Sequence, residues 1–261
     1  MDTILDVKNL IVKFDTTQGE ITAVNNISFN INKGECIGIA GESGSGKTQT
    51  FFSITGILSD NGKASGEVNF NNLNLLELSE AELSKIRGKD IGFIFQDPMT
   101  SLTPHMKIGD QLTEVSIFHD KKSKSESIKK AKEVLDKVRL PRINNLITKY
   151  PHELSGGMRQ RIMIGISLMC NPKLIIADEP TTALDVTTQK DILKIFSDLQ
   201  KENITIALIT HDIGVLAEVS DNIIVMNEGS IVEKGKTNKV LVEPKHDYTK
   251  HLLSCVPEWL K

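Results

Sequence analysis

Across residues 4–14 the apolar side chains of Ile4, Leu5, Val7, Leu10, Val12 and Phe14 are interleaved with polar ones, a near-alternation that predicts an antiparallel strand. A turn over residues 16–19 leads to a second strand region, 21–31, which stops at Asn32-Lys33-Gly34. Shorter apolar runs at 35–40, 91–95, 174–177 and 204–210 each predict a further strand. The run before Asp178 is apolar throughout, as a central strand covered on both faces would be. Between strands, residues 48–58 read as a helix, 61–66 as a turn, 67–70 as a strand, and 71–87 as loop with a short helix. From 99 to 170 the pattern is helical. Residues 108–118 are apolar at helical spacing, and over 123–138 Ile128, Ala131, Val134, Leu135 and Val138 form one stripe. A helix over 186–201, a hairpin of 223–227 with 230–233 turning at Glu228-Gly229, and a helical tail from residue 237 complete the chain.

Its 261 residues suffice for one large α/β domain or a domain with an inserted subdomain. A formal charge of -3 gives no global basic field, which argues against nucleic acid as a partner. Lys121, Lys122, Lys124, Lys129, Lys130 and Lys132 alternate with Ser123, Ser125, Glu126 and Glu133, so they read as a solvated helix face. Cys36, Cys170 and Cys255 are dispersed, without the paired spacing of a zinc or iron–sulfur site, and fit buried thiols of a reduced compartment. The start of the chain lacks an apolar core of signal-peptide length. The longest apolar stretch, 162–170, includes Gly165 and Ser167 and falls far short of a bilayer span, so a membrane role would be that of a peripheral subunit.

The chemistry centres on Gly41-Glu42-Ser43-Gly44-Ser45-Gly46-Lys47-Thr48, which follows a short strand, opens a helix and has the spacing of a phosphate loop. Glycines let successive N–H groups turn toward a polyphosphate, and the helix start adds about half a positive charge. Lys47 can reach the β- and γ-phosphates of a nucleotide, and the Thr48 hydroxyl can ligate Mg²⁺. A second glycine turn, Ser155-Gly156-Gly157 within Leu154-Ser155-Gly156-Gly157-Met158-Arg159-Gln160-Arg161, also opens a helix and forms another anion-binding start. Two such cradles imply two anions, or a site shared between two copies of the fold. The strand ending in Asp178-Glu179 suits a Mg²⁺-holding carboxylate followed by a general base. Gln96 and His211 each stand at a strand end, His211 where a sheet's ligand site would lie. Phe14 reads equally as a ring for stacking on adenine or as a core aromatic.

In this order, the phosphate loop, Gln96, the stretch from Leu154 to Gln160, Asp178-Glu179, Leu184-Asp185 and His211 resemble the ATP-binding subunits of ABC transporters over almost the whole chain. Phe95-Gln96-Asp97-Pro98-Met99-Thr100-Ser101-Leu102, Tyr150-Pro151-His152-Glu153 and Pro244-Lys245-His246-Asp247-Tyr248-Thr249 are similar to the peptide/nickel importer branch, although Thr103 stands where that branch commonly has Asn. The resemblance implies an α/β fold in which a phosphate-loop ATPase core sheet carries an antiparallel β edge subdomain and an inserted α-helical subdomain at 97–170. All of it lies within one ATP-binding domain spanning 1–261, which ends in a helical tail at 235–261. It implies ATP and Mg²⁺ as cofactors, with Phe14 on adenine, Gly41 to Thr48 on the phosphates, and Thr48, Gln96 and Asp178 around the metal. It assigns Glu179 as base, Gln96 as γ-phosphate sensor and His211 as the group positioning the γ-phosphate and water. Ser155, Gly156 and Gly157 would cap the nucleotide of an opposing copy, with Asp185 linking the two sites.

The implied partners are a second ATP-binding subunit, a paralogue or an identical copy, two transmembrane permeases and, indirectly, an extracytoplasmic substrate-binding protein. The implied location is the cytoplasmic face of the cell membrane. The family's longer peptide importers continue into a cysteine-bearing extension, and the short tail here tilts the expected cargo toward nickel or a metal chelate over peptides. An exporter motor and a non-transport ABC ATPase acting on ribosome or DNA are the alternatives; the latter would usually carry duplicated motifs or a long coiled coil.

Overall fold

The computed structural model describes residues 2–140, 143–182 and 184–254. In chain order the strands and helices are β1 (Thr3–Thr16), β2 (Gly19–Asn32), β3 (Cys36–Ala40), α1 (Lys47–Thr55), β4 (Gly62–Phe70), β5 (Leu73–Asn74), α2 (Glu80–Ile86), β6 (Ile91–Ile94), α3 (Pro98–Ser101), α4 (Ile108–Asp120), α5 (Lys124–Lys137) and α6 (Ile143–Leu146). They continue with α7 (Gly156–Leu168), β7 (Leu174–Asp178), α8 (Val186–Lys201), β8 (Thr205–Ile209), α9 (Ile213–Val219), β9 (Asn222–Asn227), β10 (Ser230–Lys236), α10 (Thr237–Val242) and α11 (Asp247–Ser254). Two compact units result, one of Met1–Leu83 with Glu202–Lys261 and one of Ser84–Lys201.

The first unit holds an antiparallel sheet in the order β2-β1-β4-β5 and the strands β10-β9-β3-β8. The alternation along β1 places Leu5, Val7, Leu10 and Val12 opposite Ile31, Phe29, Ile27 and Val24 of β2, all of them buried. Every residue of β3 and β8 is buried, as two-sided coverage of parallel strands requires. Helix α1 ends at Thr55, short of the expected residue 58, because the chain turns at Gly56. The tail from Thr237 is helical as α10 and α11; Cys255 and the rest of 255–261 lie outside the described residues. Burial pushes the Cys36 thiol up to about 12, and the half-buried Cys170, in the second unit, up to about 11, so neither is a ready nucleophile.

The second unit pairs β6 with β7 in parallel and carries α3 to α7 between them. Ser123 caps α5 in a reciprocal capping box with Glu126, and Ala131, Val134, Leu135 and Val138 turn inward. On the outer face Lys124 meets Asp110 at 2.8 Å and Lys130 meets Asn171 at 2.7 Å, the surface pairing expected of a solvated face.

One expected turn proves to be largely strand. Residues 62–66 belong to β4 and pair with β1, Phe14 opposite Gly62 and Val12 opposite Ala64. These residues alternate between half-buried (Gly62, Ala64) and exposed (Lys63, Ser65), but none is buried, so the segment is held by backbone hydrogen bonds to β1 rather than by a core. Within it, Gly66 sits at φ 118 beside the bulge between Lys8 and Ile11, where a Cβ would come within 2.6 Å of the Asn9 carbonyl and 2.7 Å of the Lys8 carbonyl. Gly66→Ala is therefore expected to destabilise the protein by about 1–3 kcal/mol, the cost of one strained backbone site. Urea unfolding monitored by circular dichroism measures this; an unchanged midpoint would mean that the bulge relaxes without loss.

Candidate functional site

In the first unit β3 leads into the glycine loop and α1 starts at Lys47. Glu42, Ser43 and Gly44 are exposed along the loop, while Ser45, Gly46 and Lys47 are buried. The Lys47 ammonium folds back over the loop and donates to the Gly41 carbonyl at 2.7 Å and the Glu42 carbonyl at 2.8 Å. These bonds satisfy a cation that is only 5% exposed, and an entering polyphosphate would exchange with them. Thr48, half-buried in the first turn of α1, carries a hydroxyl suited to a hard cation. The loop is braced from outside: Gly229 donates to the Ser45 carbonyl at 3.1 Å, and the Glu42 amide donates to the Tyr248 hydroxyl at 3.0 Å.

Strand β8 lies parallel to β3 with Ile209 opposite Ile39, and the Thr210 amide donates to the Ile39 carbonyl at 3.1 Å. The glycine loop and His211 consequently leave one edge from adjacent strands, the edge where parallel sheets bind ligands. His211 is exposed there, and Asp212 caps α9 through the amides of Gly214 and Val215. Phe14, near the end of β1, is half-buried with its ring over Gly62, between the two roles the sequence allowed it.

The second unit repeats the device. Ile94 of β6 lies opposite Ala177 of β7, so Gln96 and Glu179 each emerge two residues beyond a matched pair. The Gln96 amide donates to the Glu179 carboxylate at 3.2 Å, and the Thr182 hydroxyl donates to the same oxygen at 2.8 Å. Glu179 has φ 46, left-handed backbone uncommon for a non-glycine residue and of the kind that collects at functional sites. Asp178, 4% exposed, ends β7 just before it.

Ser155 caps α7 by accepting from the Met158 amide at 3.4 Å. The two glycines after it have different reasons. A Cβ on Gly157 would meet Thr188 Cγ2 at 2.5 Å, whereas one on Gly156 would meet nothing, so Gly157 lets helices approach and Gly156 leaves the helix start open. Thr188 in turn donates through its amide (2.9 Å) and hydroxyl (2.7 Å) to Asp185, and these bonds hold the Asp185 carboxyl below its usual range. Arg161, donating to Asp191 at 2.7 Å and to the Arg139 carbonyl at 3.2 Å, ties α7 to α8 and to the end of α5.

Three contributors escaped the reading of the sequence. Thr188 lies three residues after Asp185, a spacing that signals a helix cap. Thr182 had no comparable signal, and Tyr248 stood within the Pro244-to-Thr249 stretch with nothing local to tie it to Glu42, its partner 206 positions away.

The family described as ABC transporter matches residues 24–182, more than half of the chain. The chain belongs to the ABC transporter family. Among the relatives of this ABC chain, the oligopeptide transport ATP-binding protein OppD of Escherichia coli (strain K12) is 48% identical over 257 residues, covering 98% of this chain and 76% of that protein. The dipeptide transport ATP-binding protein DppD of Bacillus subtilis (strain 168) is 46% identical over 260 residues, with 98% and 78% covered. Among solved structures, a dimeric post-hydrolysis state of an ATP-binding cassette bound to ADP and Pi superposes with a TM-score of 0.80 at 32% identity, covering 89% of this chain and 98% of that one. The ABC chain is accordingly an ATP-hydrolysing subunit, with the α/β architecture of that family. Among the described residues no helix is long and apolar enough to cross a membrane.

If Lys47 takes a nucleotide phosphate as the sequence leads us to expect, Lys47→Ala would remove a charge-assisted contact of about 1.5–3 kcal/mol. ATP affinity is expected to fall by about ten- to a hundredfold. Titration with a fluorescent ATP analogue checks this, and undiminished affinity would show that Lys47 stays with the loop carbonyls when nucleotide binds.

Proposed function

We propose that this ABC chain is the motor subunit of an importer of oligopeptides or dipeptides. The observation that carries the reading is its 48% identity, over nearly its full length, to an oligopeptide transport ATP-binding protein. The preference for nickel that the short tail suggested gains no support from the relatives described above, whose names specify peptides. As such a subunit it sits peripherally on the cytoplasmic face of the membrane. It works with a second ATP-binding subunit and two permeases, and indirectly with an extracytoplasmic binding protein. Residues 97–170 serve as the helical subdomain of a single ATP-binding domain, and the expected C-terminal tail begins at Thr237 rather than at 235, because Gly235 and Lys236 pair with Ile223 and Asn222 as the end of β10.

Gly41, Glu42, Ser43, Gly44, Ser45, Gly46 and Lys47 enclose the phosphates and Phe14 meets the adenine. Thr48, Gln96 and Asp178 supply hydroxyl, amide and carboxylate oxygens, a donor set that fits Mg²⁺, which when bound with ATP neutralises phosphate charge. Glu179 takes a proton from water as its oxygen bonds to the γ-phosphorus and the bond to the ADP oxygen breaks. The hydrogen bonds from Gln96 and Thr182 support this role by fixing the carboxylate, and the exposed His211 is suited to orient the γ-phosphate. Ser155, Gly156 and Gly157 cap the nucleotide of the opposing subunit. Asp185, held by Thr188 beside Gly157, couples the two sites. The dimeric cassette among the structural relatives supports this pairing of subunits.

Glu179→Gln is expected to lower ATP turnover by about 10² to 10⁴ while ATP binding persists. Phosphate-release kinetics decide the matter, and undiminished hydrolysis would reject Glu179 as the base. For cargo, a strain lacking the gene should resist toxic peptides and grow normally under metal restriction. The opposite pattern would return the assignment to a metal chelate.

A further inference from the structure

The stretch Pro244-Lys245-His246-Asp247-Tyr248-Thr249 has no part in the reaction just described, yet it reaches the phosphate loop. It is anchored at its start by β10, where Glu233 accepts from the Lys245 amide at 2.9 Å and the His246 amide at 3.0 Å. Thr249 and Leu252 then turn into the protein, 1% and 8% exposed, and fix the inner face of α11. Between these anchors Tyr248 is half-buried, with its hydroxyl oxygen 3.0 Å from the Glu42 amide nitrogen.

That amide and the Gly41 carbonyl are the two ends of a single peptide group. Lys47 holds the carbonyl end at 2.7 Å and Tyr248 the amide end at 3.0 Å. Because the group is planar, fixing its N–H fixes the direction of its C=O. We infer that Tyr248 is a positioning residue for the phosphate loop, orienting the Gly41–Glu42 peptide so that the loop keeps its binding shape when Lys47 leaves the carbonyl for a phosphate. The remaining bonds of the loop reinforce this geometry: Ser45 donates to the Glu42 carbonyl at 3.2 Å, and Lys47 reaches the same oxygen at 2.8 Å. Losing the phenol would leave the exposed start of the loop without its outer hold, and ordering it would then be charged against nucleotide binding.

The inference rests on ATP binding at this loop, which Lys47→Ala tests separately. In the full chain, Tyr248→Phe keeps the ring and removes only the hydroxyl. Dissociation constants for a fluorescent ATP analogue, with KM and kcat for ATP, are the readouts. The expected result is an approximately three- to tenfold rise in both Kd and KM, the scale of one hydrogen bond, with kcat within about twofold of the unmodified chain. Glu233→Gln, which weakens the anchor of the segment without touching the loop, should shift Kd in the same direction and keeps the inference testable if the phenylalanine variant folds poorly. Lys250→Ala, on the exposed side of α11, should leave Kd and KM unchanged. A lowered thermal midpoint in Tyr248→Phe with unaltered Kd and KM would make the residue merely structural and overturn the inference. So would an equal loss of affinity in Lys250→Ala, or loss of ATP binding in Lys47→Ala alone, which would leave the ATP site itself standing.

Discussion

Parallel pairing of strands brings the ends of neighbouring chain segments to one edge, and each unit uses this constraint to assemble polar groups that are remote in sequence. The match of Ile39 with Ile209 delivers the glycine loop and His211 together; the match of Ile94 with Ala177 delivers Gln96 and Glu179. A slip of one residue in either ladder would exchange the two faces of a strand and misfit its side chains against the layers that cover it. Complete burial of β3, β7 and β8 gives such a slip a large cost, so precision at the polar edge derives from the apolar interior.

The central strands and the two glycine turns were legible in the sequence because their physics is local. A backbone cradle needs glycines at set intervals, and a strand covered on both faces needs an unbroken apolar run. What was not legible depends on distant partners. Residues 62–66 form strand although their composition suggests a turn, because the free edge of β1 supplies hydrogen bonds whatever side chains face it. The Gln96–Glu179 contact joins residues 83 positions apart, and only the register of β6 on β7 foretells it. The left-handed backbone of Glu179 is likewise invisible in a run of residue names. The cargo lay furthest from reach: no spacing of histidines and cysteines pointed to a metal, and the length of a tail carries no chemistry.

Thr188 shows how modest residues unite a site. Its methyl group closes on Gly157 while its amide and hydroxyl hold Asp185, so the start of α7 and the start of α8 share one side chain. A bulkier residue at either end would push the helices apart, which gives Gly157 a packing reason independent of any ligand. Gly156, facing open space, has no such reason.

The first unit is interrupted in sequence: residues 84–201 lie between its two parts. On the ribosome, β3 and the glycine loop therefore emerge long before β8 and β9, the strands that flank β3, have been made. Until then both hydrogen-bonding edges of β3 are without their neighbours, while the contiguous second unit already has both strands of its own pair. The segment carrying the glycine loop is thus synthesised early, and the sheet around it closes only once β8 and β9 have emerged.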